Sequence, residues 1–356
     1  MQIDMHYYGT YAVARIAGFS PEDARIVATA DQFVDDAVTA GPVSLSGRAY
    51  MLPTVTSHKP YELIENSDAI DQWRVWLPFH FLPGVSGNDG ERRLLCMWGE
   101  PENPVAEAVL NLALGERSRA HGLHFLGLVG HVLQDTYAHY GFSGMALDRN
   151  RIDQKTLKVR NKGSLSAWFE RALRSFTGRL GGSLAEATRL GHASVATFPD
   201  LPYLKWSFSY ETAPGVDPGY GLEKRDNPKS YYRSLTRLHA LFRAYRNGLP
   251  SMEQSGGHTP FERGTAGALQ ALLTRIEPDK QTRCDLWRER IADGSLFPAL
   301  PEDGDVAYDG ARWRFAVMES NANAALTEAY RFNRAARRYL DAVLTEVLPG
   351  ADLLVL

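Results

Sequence analysis

The chain has 356 residues, 44% of them hydrophobic and 23% charged, and a formal net charge of −3. Those values exclude a disordered, collagen-like or low-complexity chain, and the charge balance excludes a broad nucleic-acid-binding surface. Two cysteines, Cys96 and Cys284, with no CxxC spacing exclude a disulfide scaffold and a thiolate zinc knuckle, so any metal must be held by His, Asp or Glu.

The chain opens MQIDMHYYGTYAVARIAG, with an acid where a secretory leader carries lysines and no unbroken apolar run. Together with the lack of any apolar stretch of about 18 residues, this predicts a cytoplasmic protein without a transmembrane segment; signal-free export stays open. Ser20-Pro21-Glu22-Asp23 supplies an N-cap, a first-turn proline and two acids, opening a helix to about Ala40. A Gly/Pro-rich connection over 41–102 follows. Asn103-Pro104 starts a helical pattern running to about Tyr140, too long for one helix, with its break at Gly115 or Gly122. Ser164 caps a helix carrying Leu165, Trp168, Phe169, Leu173 and Phe176, and Ser183 opens another near 184–197. A second long connection spans 198–227. Both connections carry aromatics (among them Trp76, Phe81, Trp98, Trp206 and Tyr220), which predicts that they pack onto the helices and wall a cavity. Further helices are expected at 229–247, 261–276, 280–292 and 320–347. The one strong strand signal is a hairpin of Val306-Ala-Tyr and Arg312-Trp-Arg-Phe around Asp309-Gly310. The expected fold is mainly α, a multi-helix bundle-like domain with long packed loops and one short β-hairpin. It reads as a single mainly helical metallo-domain over 1–356, with a C-terminal helical subdomain at 250–356 as the alternative division.

Chemistry concentrates in one stretch, His121-Gly-Leu-His124-Phe-Leu-Gly127-Leu-Val-Gly130-His131-Val-Leu-Gln-Asp135-Thr-Tyr-Ala-His139. On a helix its five His and Asp groups share a stripe about 80° wide. His121 and His139 lie about 27 Å apart along the axis and cannot share a site. His131, Asp135 and His139 follow one another at single turns. The middle carboxylate can then serve one metal or bridge two, and imidazole with carboxylate is the donor set zinc accepts without thiolates. Gly127 and Gly130 predict a close approach by another backbone or a substrate. Elsewhere, Asp4 and His6 form an i, i+2 pair. Asp31 and Asp35 share one face at the C-terminal end of their helix, where acids oppose the macrodipole and favour a nearby cation. His80 sits in an apolar loop, and His192 and Asp200 sit in GHASVATFPDLP. His58 reads as a surface loop residue, and His239 and His258 as core or surface.

HVLQDTYAH followed by YGFSG resembles the central helix of the zinc-dependent phospholipase C and single-strand-specific nuclease superfamily. The opening HYYGTYAVARIAGF resembles a bacterial family that shares this helix. The resemblance implies a mostly helical fold, a cluster of three zinc ions and phosphoester hydrolysis by a metal-bound water. Residue by residue, it implies metal ligation by His6, Asp35 or Asp36, His80, His131, Asp135 as the bridging carboxylate, His139 and His192, with Asp200 as an acidic partner. The superfamily's phospholipases also use a processed N-terminal amine, and here Asp4 is the candidate substitute.

The sequence therefore predicts a metal-dependent phosphoesterase acting on a phospholipid, nucleotide or small phosphodiester, a small-molecule or lipid phosphoester substrate. Two or three zinc ions would sit on His6, Asp35, His80, His131, Asp135, His139 and His192; iron or manganese suits the same ligands. An unligated aspartate, Asp4 or Asp36, is the candidate proton acceptor. The competing reading is a non-catalytic, metal-stabilised helical binding protein.

Overall fold

The computed structural model describes residues 1–45, 49–58, 68–84, 90–97, 103–161, 189, 191–211, 222–255, 260–319 and 324–353. It is mainly helical. After a π-helical turn at Asp4–Gly9 come α1 (Thr10–Ile16) and α2 (Pro21–Asp36). A hairpin of β1 (Val43–Leu45) and β2 (Ala49–Met51) follows, then α3 (Pro104–Gly115) and α4 (Gly122–Ala138). Strands β3 (Ile152–Val159), β4 (Lys205–Tyr210) and β5 (Glu223–Asp226) precede α5 (Asn227–Arg246), α6 (Arg263–Thr274) and α7 (Lys280–Ala292). Helices α8 (Gly310–Glu319) and α9 (Glu328–Ala342) follow.

The starts follow local chemistry. Ser20 accepts from the Asp23 amide, Asn103 from the amides of Val105 and Ala106, and Asp226 from that of Lys229. Each satisfies amide donors left open at a helix N-terminus. Residues 124–138 of α4 are all buried, as befits a helix enclosed on every side. It packs against α2, α3, α5 and α9. Its closest approach is to α2. A Cβ at Gly127 would stand 2.2 Å from the Val27 carbonyl oxygen, and one at Gly130 would stand 3.1 Å from an Asp31 carboxylate oxygen. The two glycines thus let the acidic face of α2 meet the histidine face of α4, the close approach their positions predict.

The second long connection supplies β4 and β5, which join β3 in an antiparallel sheet of order β3-β4-β5. That sheet helps form a smaller core of Phe81, Phe142, Ile152, Tyr203, Trp206 and Phe208. C-terminal elements join the main core, and two of their acid–base pairs reach the N-terminus: Arg283 with Asp4, and Asp303 with Arg15.

Several sequence expectations need correction. The first helix stops at Asp36, before Ala40. The long pattern does break as expected, with α3 ending at Gly115 and α4 beginning at Gly122. No hairpin forms at 306–315: Asp309 accepts from the Arg312 amide and α8 begins at Gly310, so Asp-Gly starts a helix there. The last helix divides into α9 and a π-helical turn at Val343–Val347. His58 is buried rather than on the surface, its Nε2 3.2 Å from Asp71. His239 is in the core, stacked on Phe261. The helix expected after Ser164 and most of the one after Ser183 fall outside the described residues, as do Trp98, Tyr220 and His258; the described part of the latter helix holds only a 3-10 turn at Ala193–Val195. No described helix is long and apolar enough to cross a membrane.

Candidate metal centre

Five segments converge where α2 and α4 meet. The π-helical turn brings His6, and α2 brings Asp31 and Asp35. The loop after Leu77–Phe79 brings His80. Helix α4 brings His131 and Asp135, with His139 as its C-cap. The turns at 191–200 bring His192 and Asp200. Three groups of side chains place donor atoms within 4.8 Å of one another and can hold a metal ion: His6–Asp31–His131, Asp35–His80–His131 and His139–His192–Asp200.

The orientation of the imidazoles is the informative feature. A neutral imidazole carries one proton, and the nitrogen bearing it donates. His80 gives its Nε2 to the Thr56 carbonyl at 2.8 Å. His139 gives Nδ1 to the His80 carbonyl at 2.9 Å, and His192 gives Nδ1 to the Ala196 carbonyl at 2.8 Å. Carbonyls accept only, so these protons point outward. His6 Nδ1 lies 2.9 Å and His131 Nδ1 3.4 Å from the same oxygen, Asp31 Oδ1. The opposite nitrogens of His80, His139 and His192 then face the centre, and His6 and His131 turn their Nε2 atoms toward Asp135.

Those inward atoms meet one another and carboxylates. His131 Nε2 is 3.2 Å from His80 Nδ1 and 3.3 Å from Asp135 Oδ2, and His80 Nδ1 is 3.2 Å from the same oxygen. Asp35 Oδ1 stands 3.8 and 3.9 Å from the two imidazole nitrogens. Four donors about 2.0–2.1 Å from a tetrahedral ion are about 3.3 Å from each other. On the other side of Asp135, Oδ1 accepts from the Met1 amine at 2.6 Å and lies 3.3 Å from His6 Nε2, which has no hydrogen-bond partner. His139 Nε2 lies 3.3 Å from Asp200 Oδ1, and His192 Nε2 3.9 Å from Asp200 Oδ2. Groups of donors that could hold a cation thus adjoin one another, and Asp135 meets His80 and His131 through one oxygen and the Met1 amine and His6 through the other.

Titration follows the charge. Burial opposes a cation at the Met1 amine, yet the carboxylates of Asp135, Asp200 and Asp35 outweigh it and raise its pKa to about 11. Burial likewise opposes protonation of His131, but Asp135, Asp35 and Asp31 raise it to about 10. Asp135 is held well below the usual carboxylate range, burial being outweighed by His139, the amine and His131. Asp200 falls to about 2 against burial, through His192, the amine and His139. Burial lowers His80 and brings His192 to about 4, favouring the neutral, ligating form of both. The centre is a site of negative potential, where protons occupy places that suit metal ions.

Residues 1–347 match a family of unknown function, DUF6765. The chain belongs to this family. No curated protein and no solved structure matches it. In this DUF6765 chain the seven residues predicted as ligands, His6, Asp35, His80, His131, Asp135, His139 and His192, all lie in the cluster. Asp4 does not: it is buried against Arg283, 2.8 Å from its Nε, so it neither replaces the amine nor faces the centre as a proton acceptor. Asp36 points away too. It accepts from Tyr308, lines an apolar cleft with Phe33, Met51 and Phe332, and has its pKa raised by burial. His121 and His124 share the predicted stripe but engage Glu116 and Glu328 instead. The sequence reading left out the Met1 amine and Asp31. An amine gives no residue-type signal. Asp31 gave one, through its place one turn before Asp35.

Proposed function

We propose that this DUF6765 protein binds divalent metal ions, zinc being the best match to its donors, at three neighbouring positions and hydrolyses a phosphoester with them. The observation that carries this reading is the set of imidazoles whose inward nitrogens converge on buried carboxylates, with His80, His139 and His192 bonded outward to backbone carbonyls. Buried carboxylates gathered this closely are costly unless cations lie among them; in the metal-free protein the Met1 amine and His131 supply that charge, and metal ions would supply it in the loaded one. Closely spaced divalent ions supply an acidified water at neutral pH and neutralise charge on phosphoryl oxygens.

The chain's own residues do the rest. Asp135 would hold two positions in register through its two oxygens. The outward hydrogen bonds of His80, His139 and His192 fix their tautomers before any ion arrives. Asp35 would complete the His80–His131 position as a ligand: its side chain is 32% exposed, with Oδ1 turned to the cluster and Oδ2 near Gln32. The His139–His192–Asp200 group presents three protein residues, which would leave a position for a non-protein ligand. Open coordination is a mark of catalytic rather than purely structural zinc sites. Trp76 and Phe81, packed on His80 and His139, are placed to flank an apolar part of a small-molecule or lipid phosphoester.

The test combines elemental analysis with a panel of phosphomonoesters and phosphodiesters, run on wild type and on Asp135→Ala. The reading expects two or three tightly held transition-metal ions per chain and turnover that Asp135→Ala abolishes. Bound metal without turnover across the panel would favour the non-catalytic, metal-stabilised alternative. Less than one ion per chain after dialysis would overturn both.

A further inference from the structure

Asp31 is fully buried and lies at the back of the cluster, touching two of its imidazoles at once. Its Oδ1 is hydrogen-bonded to His6 Nδ1 at 2.9 Å and stands 3.4 Å from His131 Nδ1, a buried atom with no hydrogen-bond partner, for which Asp31 is an acidic neighbour. Its Oδ2 accepts from Thr10 Oγ1 and from Gln134 Nε2, each at 2.6 Å, and Gln134 Nε2 also donates to Thr10 at 2.7 Å. The carboxylate is thus fixed by its own partners before it meets either ring. His6–Asp31–His131 is one of the groups that can hold an ion. A metal there would use the δ nitrogens of both rings. The ε nitrogens would then be left without an ion, although His131 Nε2 faces His80, Asp35 and Asp135, the fuller donor set. A neutral imidazole ligates through one nitrogen only.

We infer that Asp31 is not a metal ligand but a positioning residue shared by two metal positions: it takes the Nδ1 protons of His6 and His131 and so turns both ε nitrogens inward together. Carboxylates that accept a ligating histidine's second N–H are a recurrent feature of metal sites. Here one carboxylate serves two stacked rings whose ε nitrogens approach different oxygens of Asp135. The His6 and His131 positions therefore depend on a single group, and their loading is coupled. The His139–His192–Asp200 position is independent of Asp31, because its rings are oriented by backbone carbonyls. This inference rests on the metal-binding reading above and adds to it which positions rise and fall together.

The decisive variant is Asp31→Asn. It keeps the shape but offers one oxygen and an NH2 where two oxygens stood. Besides losing the negative charge, it sets an amide donor against a donor nitrogen, so at least one ring must turn its proton inward. Calorimetric titration of metal-free wild type and variant with zinc chloride reads the result. The expected outcome is a weakening of about 10–100-fold at two sites together, with the remaining site unchanged. Full retention of all sites, or weakening of a single site, would overturn the inference while leaving the metal reading intact. Wild-type protein that takes up no zinc would overturn the reading beneath it. Should Asp31→Asn fail to fold, Thr10→Val carries the test: it removes a donor to Asp31 and leaves the charge. The same two sites should weaken together by a smaller factor, and an unchanged titration would count against the inference.

Discussion

An imidazole that binds a metal must hold its remaining proton somewhere else, and the outward partners of His80, His139 and His192 meet that condition. This has a pH consequence. In the metal-free protein, the pKa of His131 is raised to about 10 and that of the Met1 amine to about 11, so both carry protons at neutral pH. The stability His131 contributes in that state is complete below its ordinary pKa of 6.5 and is lost as pH rises through about 10. Asp200 has the opposite sign: its contribution is present above 3.8 and is lost as pH falls through about 2. Metal must displace the two protons, so zinc binding near pH 7 should release about two protons per chain. Calorimetry in buffers of different ionisation enthalpy checks this; proton-neutral binding would contradict it. Asp135→Asn should lower zinc affinity by more than about 100-fold, because two positions lose a ligand oxygen; equilibrium dialysis measures it. Much of the site was legible at this scale. One-turn spacing marked His131, Asp135 and His139, and the superfamily resemblance marked His6, His80 and His192. Asp4 was misplaced because its partner Arg283 is 279 residues away, and Asp36 because its partner Tyr308 is 272 residues away. Spacing along one helix carries no information about such contacts.

At the scale of elements, the cluster exists because α2 and α4 approach closely. Gly127→Ala should push them apart, since the new methyl would fall 2.2 Å from the Val27 carbonyl oxygen. The expected cost is about 1–3 kcal/mol in urea denaturation, with weaker zinc binding. Wild-type stability together with wild-type zinc affinity would show that the contact does not set the site. Helix starts were legible where caps are local: Ser20 and Asn103 each sit where their side chains are needed. The strands were not. Trp206, Phe208 and Tyr210 alternate along β4 in strict period two, yet the surrounding glycines and prolines made the region read as a packed loop. At Asp309-Gly310 the error ran the other way. That dipeptide suits a hairpin turn and a helix start equally, and only its tertiary setting selects the helix.

Across the whole molecule, elements from the far end of the chain hold the N-terminal turn in place. Arg283 donates to Asp4 and Gln2 from its Nε and one terminal nitrogen, and to the carbonyls of Glu277 and Pro278 from the other. The turn it clamps carries the Met1 amine and His6 into the cluster. Arg283→Met would leave Asp4 buried and unpaired, at a cost of about 3–5 kcal/mol. Urea denaturation should show that loss, and zinc titration should show weakening centred on the His6 position. Membership of DUF6765 spans residues 1–347, so the clamp and the cluster lie within the same family region. The central claim is that cations belong between inward-facing imidazoles and carboxylates, and anomalous X-ray scattering at the zinc edge from zinc-supplemented crystals tests it most directly. The account predicts scattering peaks on both sides of Asp135 and a further one beside His139, His192 and Asp200. A well-ordered cluster with no anomalous peak, its nitrogens and carboxylates bonded only to protons and water, would contradict it.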